Sequence, residues 1–153
     1  MGEFIVSREA LITLNCKRYS ERIVDIVSLF IQSGWRYYNS DNKIAYLPLG
    51  SDDDFDWQKD NFSVEKLYEI IEEKQEKKEL VGLILYFKKS NEGITILAKN
   101  TKEIVISLDI NRKAVEDSRD SVTDIGWYFR NIIQKFKENG CPIDYIKFEE
   151  YSD

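Results

Sequence analysis

Apolar positions recur along this chain with two periods, and each period names an element. Ile23, Ile26, Val27, Phe30 and Ile31 fall at i, i+3, i+4, i+7 and i+8, the stripe of an amphipathic helix with Ser20 as its N-cap and Gly34 as its stop. A second helix opens at Ser63, with Phe62 and Leu67 in the positions of a hydrophobic staple. Leu67, Ile70 and Ile71 make its buried stripe, and the charged run over 72–79 is expected to be solvated. The longest stripe, Ile125, Tyr128, Phe129, Ile132, Ile133 and Phe136, predicts a third helix that ends at Asn139, Gly140 and Pro142.

Strands occupy the intervals. The pattern predicts one over 11–16 and another over 4–7, and a β-hairpin in which Trp35 and Tyr37 face Ile44 and Tyr46 across a turn at 39–42. Residues 80–87 are apolar except for Gly82, as expected of a central strand covered on both faces. Turns at 90–93 and 99–102 lead into 94–98 and 104–108, which completes an antiparallel meander. A polar segment over 109–120 precedes the third helix, and 143–148 forms a last strand. The sum is one α+β domain over residues 1–153, with a mainly antiparallel β-sheet packed by about three α-helices.

Composition agrees with a folded core. Of 153 residues, 42% are hydrophobic, 13% aromatic and 33% charged, and a chain of this length withdraws roughly 70% of its unfolded surface from water without staples. Net charge is −6, which disfavours nucleic acid and anionic membranes as partners and favours a basic protein. No apolar run approaches the ~20 residues of a membrane helix. The start at Met1, Gly2, Glu3 and Phe4 lacks the order of a signal peptide, so a cytoplasmic location is expected. Cys16 and Cys141 match neither a zinc knuckle nor a redox pair and read as small buried residues.

Candidate chemistry is narrow because the chain contains no histidine. That excludes Ser-His-Asp and Cys-His catalysis and the usual zinc sets, leaving carboxylate or lysine chemistry. Asp52, Asp54 and Asp56 have the spacing of the first half of a calcium loop, but Trp57 stands where the loop needs glycine and Ser63 where it needs glutamate. Glu72, Glu73 and Lys74 match a fragment of a magnesium-nuclease signature inside a charged run, where such a match arises by chance. No glycine-rich phosphate loop is present. Lys88, Lys89, Lys99 and Lys102 lie at the meander turns, where lysines guard sheets against aggregation. No catalytic residue, metal ligand or cofactor is assigned.

What remains is charge beside aromatics. Leu47, Pro48, Leu49 and Gly50 run into Ser51, Asp52, Asp53, Asp54, Phe55, Asp56 and Trp57, and a second acidic concentration near the C-terminus holds Glu149, Glu150 and Tyr151. Exposed carboxylates steer a basic partner and a desolvated aromatic holds it, so these nine residues from Asp52 to Trp57 and from Glu149 to Tyr151 are the candidate partner-binding set. If the two clusters are neighbours, they form one acidic face.

The order Gly34-Trp35, a short aromatic hairpin, Leu47-Pro48-Leu49-Gly50 and an Asp-rich segment ending in Asp56-Trp57 resembles the small immunity proteins of bacterial polymorphic-toxin and contact-dependent inhibition systems. The resemblance covers residues 34–57. It implies a cytoplasmic, non-catalytic protein that binds a basic toxin domain, often a nuclease, and blocks its active site; it assigns no individual contact residue. The alternatives are a carboxylate-metal enzyme using Asp52 to Asp56, and an acidic mimic of nucleic acid.

Overall fold

The computed structural model describes residues 8–116 and 120–152. Its strands are β1 (Arg8–Asn15), β2 (Trp35–Arg36), β3 (Ile44–Tyr46), β4 (Gln58–Asp60), β5 (Val81–Phe87), β6 (Gly93–Ala98), β7 (Ile104–Ile110) and β8 (Tyr145–Ser152). All pair antiparallel in one sheet of order β4-β3-β5-β6-β7-β1-β8, with β2 also on β5. The helices are α1 (Ile23–Gln32), α2 (Val64–Glu76) and a rod, α3, built from an α-helical turn Ile125–Tyr128, a π-helical turn Phe129–Ile133 and a closing α-helical turn Gln134–Glu138. The chain is a single-domain α+β fold, and the β5-β6-β7 meander is as expected.

Register explains the core. Leu83 faces Ile96, Ile96 faces Ile106 and Ile106 faces Ile12, so one buried aliphatic row crosses four strands. Period-two alternation sends the neighbours Ile84, Leu97, Val105 and Thr13 to the other face, where they are only half-buried. The helices lie over the buried rows: Phe30 of α1 meets Phe136 of α3 edge to face at 4.7 Å, and Trp35 donates its indole N–H to the Asn131 carbonyl at 3.0 Å. Strand β5 is therefore central, but helices cover one of its faces only. On the other face, Leu47 and Trp57 cover Gly82, while Ile84 and Tyr86 stay half-buried.

Several local expectations are corrected. Residues 35–46 do not form a hairpin with themselves: Trp35 pairs with Phe87 and Tyr46 with Leu83, so β2 and β3 are two pieces of one strand along β5, interrupted by residues 37–43. Alternation in both pieces is satisfied equally well by a shared third strand, which is why the pattern was ambiguous. At α1 the N-cap is Arg22, without a side-chain bond. Ser20 instead accepts from the Arg22 N–H at 3.0 Å and donates to Asp25 at 2.6 Å, and Gln75 of α2 reaches across to accept the Ile23 N–H at 2.8 Å. Satisfaction of a helix end from another element leaves no local sequence mark.

In α3 the wide π-helical turn rotates the stripe. Tyr128, Ile132, Ile133 and Phe136 are buried as expected, but Ile125 and Phe129 are about half exposed, and Trp127 turns inward against Phe87 at 5.0 Å. The last strand runs further than expected, to Ser152. The strand expected over 4–7 lies outside the described residues, as does part of the segment 109–120. What is described of that segment returns on itself through an Ala114–Thr123 bridge.

Candidate functional site

The acidic segment connects β3 to β4, which are paired from Ile44–Asp60 to Tyr46–Gln58. It is the closed loop of a hairpin whose two ends are fixed by the sheet. Its backbone is held from below by Lys74, a residue expected on the solvated end of α2. The side chain of Lys74 is only 1% exposed, and its ammonium donates to the Pro48 carbonyl at 2.7 Å and to the Ser51 carbonyl at 2.6 Å, with the Glu79 carboxylate at 3.4 Å. Burial lowers the lysine below its ordinary pKa, while Glu79, Asp52 and Asp54 act to keep it charged. A buried ammonium is tolerable only with such a full set of acceptors.

Further bonds complete the clasp. Glu79 accepts the Gly50 N–H at 2.8 Å, and Asp52 accepts the Leu80 N–H at 2.9 Å and pairs with Lys99 at 3.3 Å. The bond from Leu80, opposed by desolvation and aided by Lys99, holds the Asp52 carboxyl below its ordinary pKa. Ser51 is buried, donates to Asp54 at 3.0 Å and accepts the Asp56 N–H at 3.2 Å.

The nine candidate residues thus divide by role. Asp53, Asp54, Phe55 and Asp56 are exposed. Phe55 is 51% exposed at φ 49°, a left-handed backbone that an aromatic residue rarely adopts. Asp52 is turned into the clasp. Trp57 is half-buried, with the tip of its indole over Gly82, where a Cβ would stand 3.1 Å away. The sheet thus uses Trp57 as a lid on β5, and Phe55 is the aromatic of the loop left exposed.

The second acidic cluster does not join the loop. Glu149, Glu150 and Tyr151 belong to β8, the edge strand opposite β4. Glu150 points to the helix-covered side, where it takes bonds from Arg8 at 3.0 Å, the Thr123 N–H at 3.0 Å and the Thr123 hydroxyl at 2.7 Å. Burial opposes its ionisation, but these bonds prevail and hold the carboxyl below its ordinary pKa. Glu149 and Tyr151 lie on the open face, bonded to one another, with Lys147 3.2 Å from Glu149. Between the clusters stands Glu103. It lines a hollow of about 410 Å³ with Asp53, Leu97 and Val105, and another of about 510 Å³ with Thr13, Tyr145 and Glu149. Lys99, Lys102 and Lys147 intervene, so the carboxylates do not form a uniform stripe.

Metal chemistry finds no assembled ligand set. Asp52, Asp54 and Asp56 turn to different partners, Leu80, Ser51 and Gln58 respectively. Among the described residues no three Asp, Glu or Cys side chains converge on a point that could hold an ion. Cys16 and Cys141 are both buried free thiols, and the contact between them together with burial keeps Cys16 protonated.

Comparison with known proteins found no matching family, no matching curated protein and no matching solved structure. Function therefore rests on the site itself. Among the described residues no helix is long and apolar enough to cross a membrane.

Sequence reasoning missed Lys74, although a signal was present. Leu67, Ile71 and Lys74 follow one another at i, i+4 and i+7, so the lysine continues the buried stripe of α2 instead of leaving it. A lysine on an apolar stripe must find acceptors.

Proposed function

We propose that this protein is a non-catalytic, cytoplasmic immunity protein that captures a basic toxin domain with the loop between β3 and β4 and so blocks its active site. The observation that carries this reading is a loop whose backbone is tied to the core by hydrogen bonds and whose tip is exposed. Lys74, Glu79 and Asp52 fix the backbone, while Asp53, Asp54, Phe55 and Asp56 face solvent. Order present before binding avoids the entropic cost of fixing the loop on contact. A strained, exposed phenylalanine amid carboxylates is a poor way to finish a surface and a good way to meet a basic partner. Asp52 and Trp57 act as supports of this tip, while Glu149 and Tyr151 lie on the same open face beyond Glu103 and its flanking lysines.

The test is neutralisation in cells. The C-terminal domain of a secreted protein encoded beside this chain should arrest growth when expressed alone, and co-expression of this chain should restore it. Restoration lost with Asp53→Lys/Asp54→Lys supports the reading. Absence of any such domain, or protection unaffected by the reversal, rejects it.

A further inference from the structure

The two edges of the sheet are finished in opposite ways. Strand β4 has three residues, Gln58, Lys59 and Asp60, all exposed and polar, a short charged edge that discourages pairing. Strand β8 has eight residues without proline or glycine, and its register with β1 runs unbroken from Arg8–Ser152 to Asn15–Tyr145. Among the described residues nothing pairs with its outer side. It carries Tyr145, Ile146 and Tyr151 at 52%, 44% and 53% exposure. A long, regular, unpaired edge that mixes exposed aromatic and aliphatic side chains with charges of both signs is a template for a strand of complementary pattern.

The sequence of β8 selects the strand. When two copies of an antiparallel edge pair about a twofold axis perpendicular to the sheet, each residue faces a residue of equal parity, and one residue faces itself. Centring on Lys147 or Glu149 opposes like charges at the axis. Centring on Phe148 places Lys147 opposite Glu149 of the second copy, twice by symmetry, Tyr145 opposite Tyr151, Ile146 opposite Glu150, whose carboxylate is held by Arg8 and Thr123, and Phe148 against its equivalent. Lys147 and Glu149 already lie 3.2 Å apart on one face within a copy, so pairing extends this couple into a four-charge cluster. Phe148 is half-buried against the core, and self-pairing completes its cover.

We propose that the occupant of the β8 edge is a second copy of this chain, forming one continuous sheet about Phe148 with Lys147 and Glu149 exchanging ion pairs across the axis. The helices of both copies then lie on the same side of the joined sheet. Because β3 and β4 are at the opposite edge, both acidic loops stay free. The inference is independent of what the loops bind.

Sedimentation of the full chain over a concentration series tests this. The wild type is expected to dimerise. Lys147→Glu and Glu149→Lys, each replacing attraction by repulsion at two symmetric positions, should each weaken the dimer by about tenfold or more. Lys147→Glu/Glu149→Lys should restore it, since the exchange recreates the same pairs. A wild type that stays monomeric up to millimolar concentration overturns the proposal, as does a dimer indifferent to either single reversal or one that the double exchange fails to recover.

Discussion

The Lys74 ammonium sits 2.6 Å from the Ser51 carbonyl oxygen, joining the buried face of α2 to the floor of the acidic loop. This one contact links a helix stripe to a surface loop, so loop order becomes a property of the core. Lys74→Met keeps much of the volume but strands the Pro48 and Ser51 carbonyls and the Glu79 carboxylate. Loss of one partner from such a buried set costs about 3 kcal/mol. Glu72→Gln, on the exposed side of the same helix, should stay within about 0.5 kcal/mol of wild type. Urea unfolding of both variants checks the contrast, and hydrogen exchange should show faster opening at Gly50 and Leu80 in Lys74→Met.

Phe55 and Trp57 are two residues apart and should behave as opposites. Trp57→Ala uncovers Gly82 and removes a half-buried indole, an expected loss of about 2 kcal/mol. Phe55→Ala removes an exposed ring held at positive φ, so stability should change by less than about 0.5 kcal/mol. Thermal melts of the pair distinguish support from tip. Equal losses would place both rings in the core.

Tyr46 and Tyr128 give a pH prediction. Burial, and for Tyr46 the hydrogen bond to Asp60, push both phenols up to about 12, while the Lys113 N–H and Arg112 only partly offset this at Tyr128. The folded chain keeps protons that the unfolded chain releases near the ordinary value of 10, so their stabilisation is complete below that pH and is lost as pH rises toward 12. Lys74, shifted downward, acts in the opposite sense over alkaline pH. Tyr37, Tyr86 and Tyr151 are shifted upward as well, so Tyr46→Phe removes one of several falling contributions, and its stability should decline less steeply than that of the wild type across this window. Melting temperature against pH for the two proteins reads the slopes directly; identical slopes would show that Tyr46 titrates normally.

Much of the fold was legible because it is written locally. The β5-β6-β7 meander announced itself through apolar runs and turns, and Ser63 caps α2 by accepting the Lys66 N–H, as its position foretold. What was not legible depends on partners distant in sequence. Gln75 caps α1, Lys74 holds the loop, and Phe87 rather than Ile44 or Tyr46 faces Trp35. The π-helical turn in α3 likewise has no mark in the apolar period, and in this rod Phe129 faces out and Trp127 packs on Phe87. At the candidate site, sequence located the acidic loop but gave its six residues from Asp52 to Trp57 one role. Only the geometry separates Asp52 and Trp57, which hold, from Asp53 to Asp56, which are presented.

If a neighbouring gene supplies the basic toxin domain that the proposed function calls for, association kinetics with that domain at low and physiological salt are the decisive measurement. Asp53→Lys/Asp54→Lys should slow association by about tenfold at low salt and flatten its salt dependence, since exposed charges act over a Debye length of ~8 Å at physiological ionic strength. Phe55→Ala should leave association nearly unchanged and speed dissociation by about thirtyfold, the signature of a desolvated anchor. Rates unchanged in both variants, with each melting as predicted, would show that the tip of the loop is a solvated turn and contradict the account.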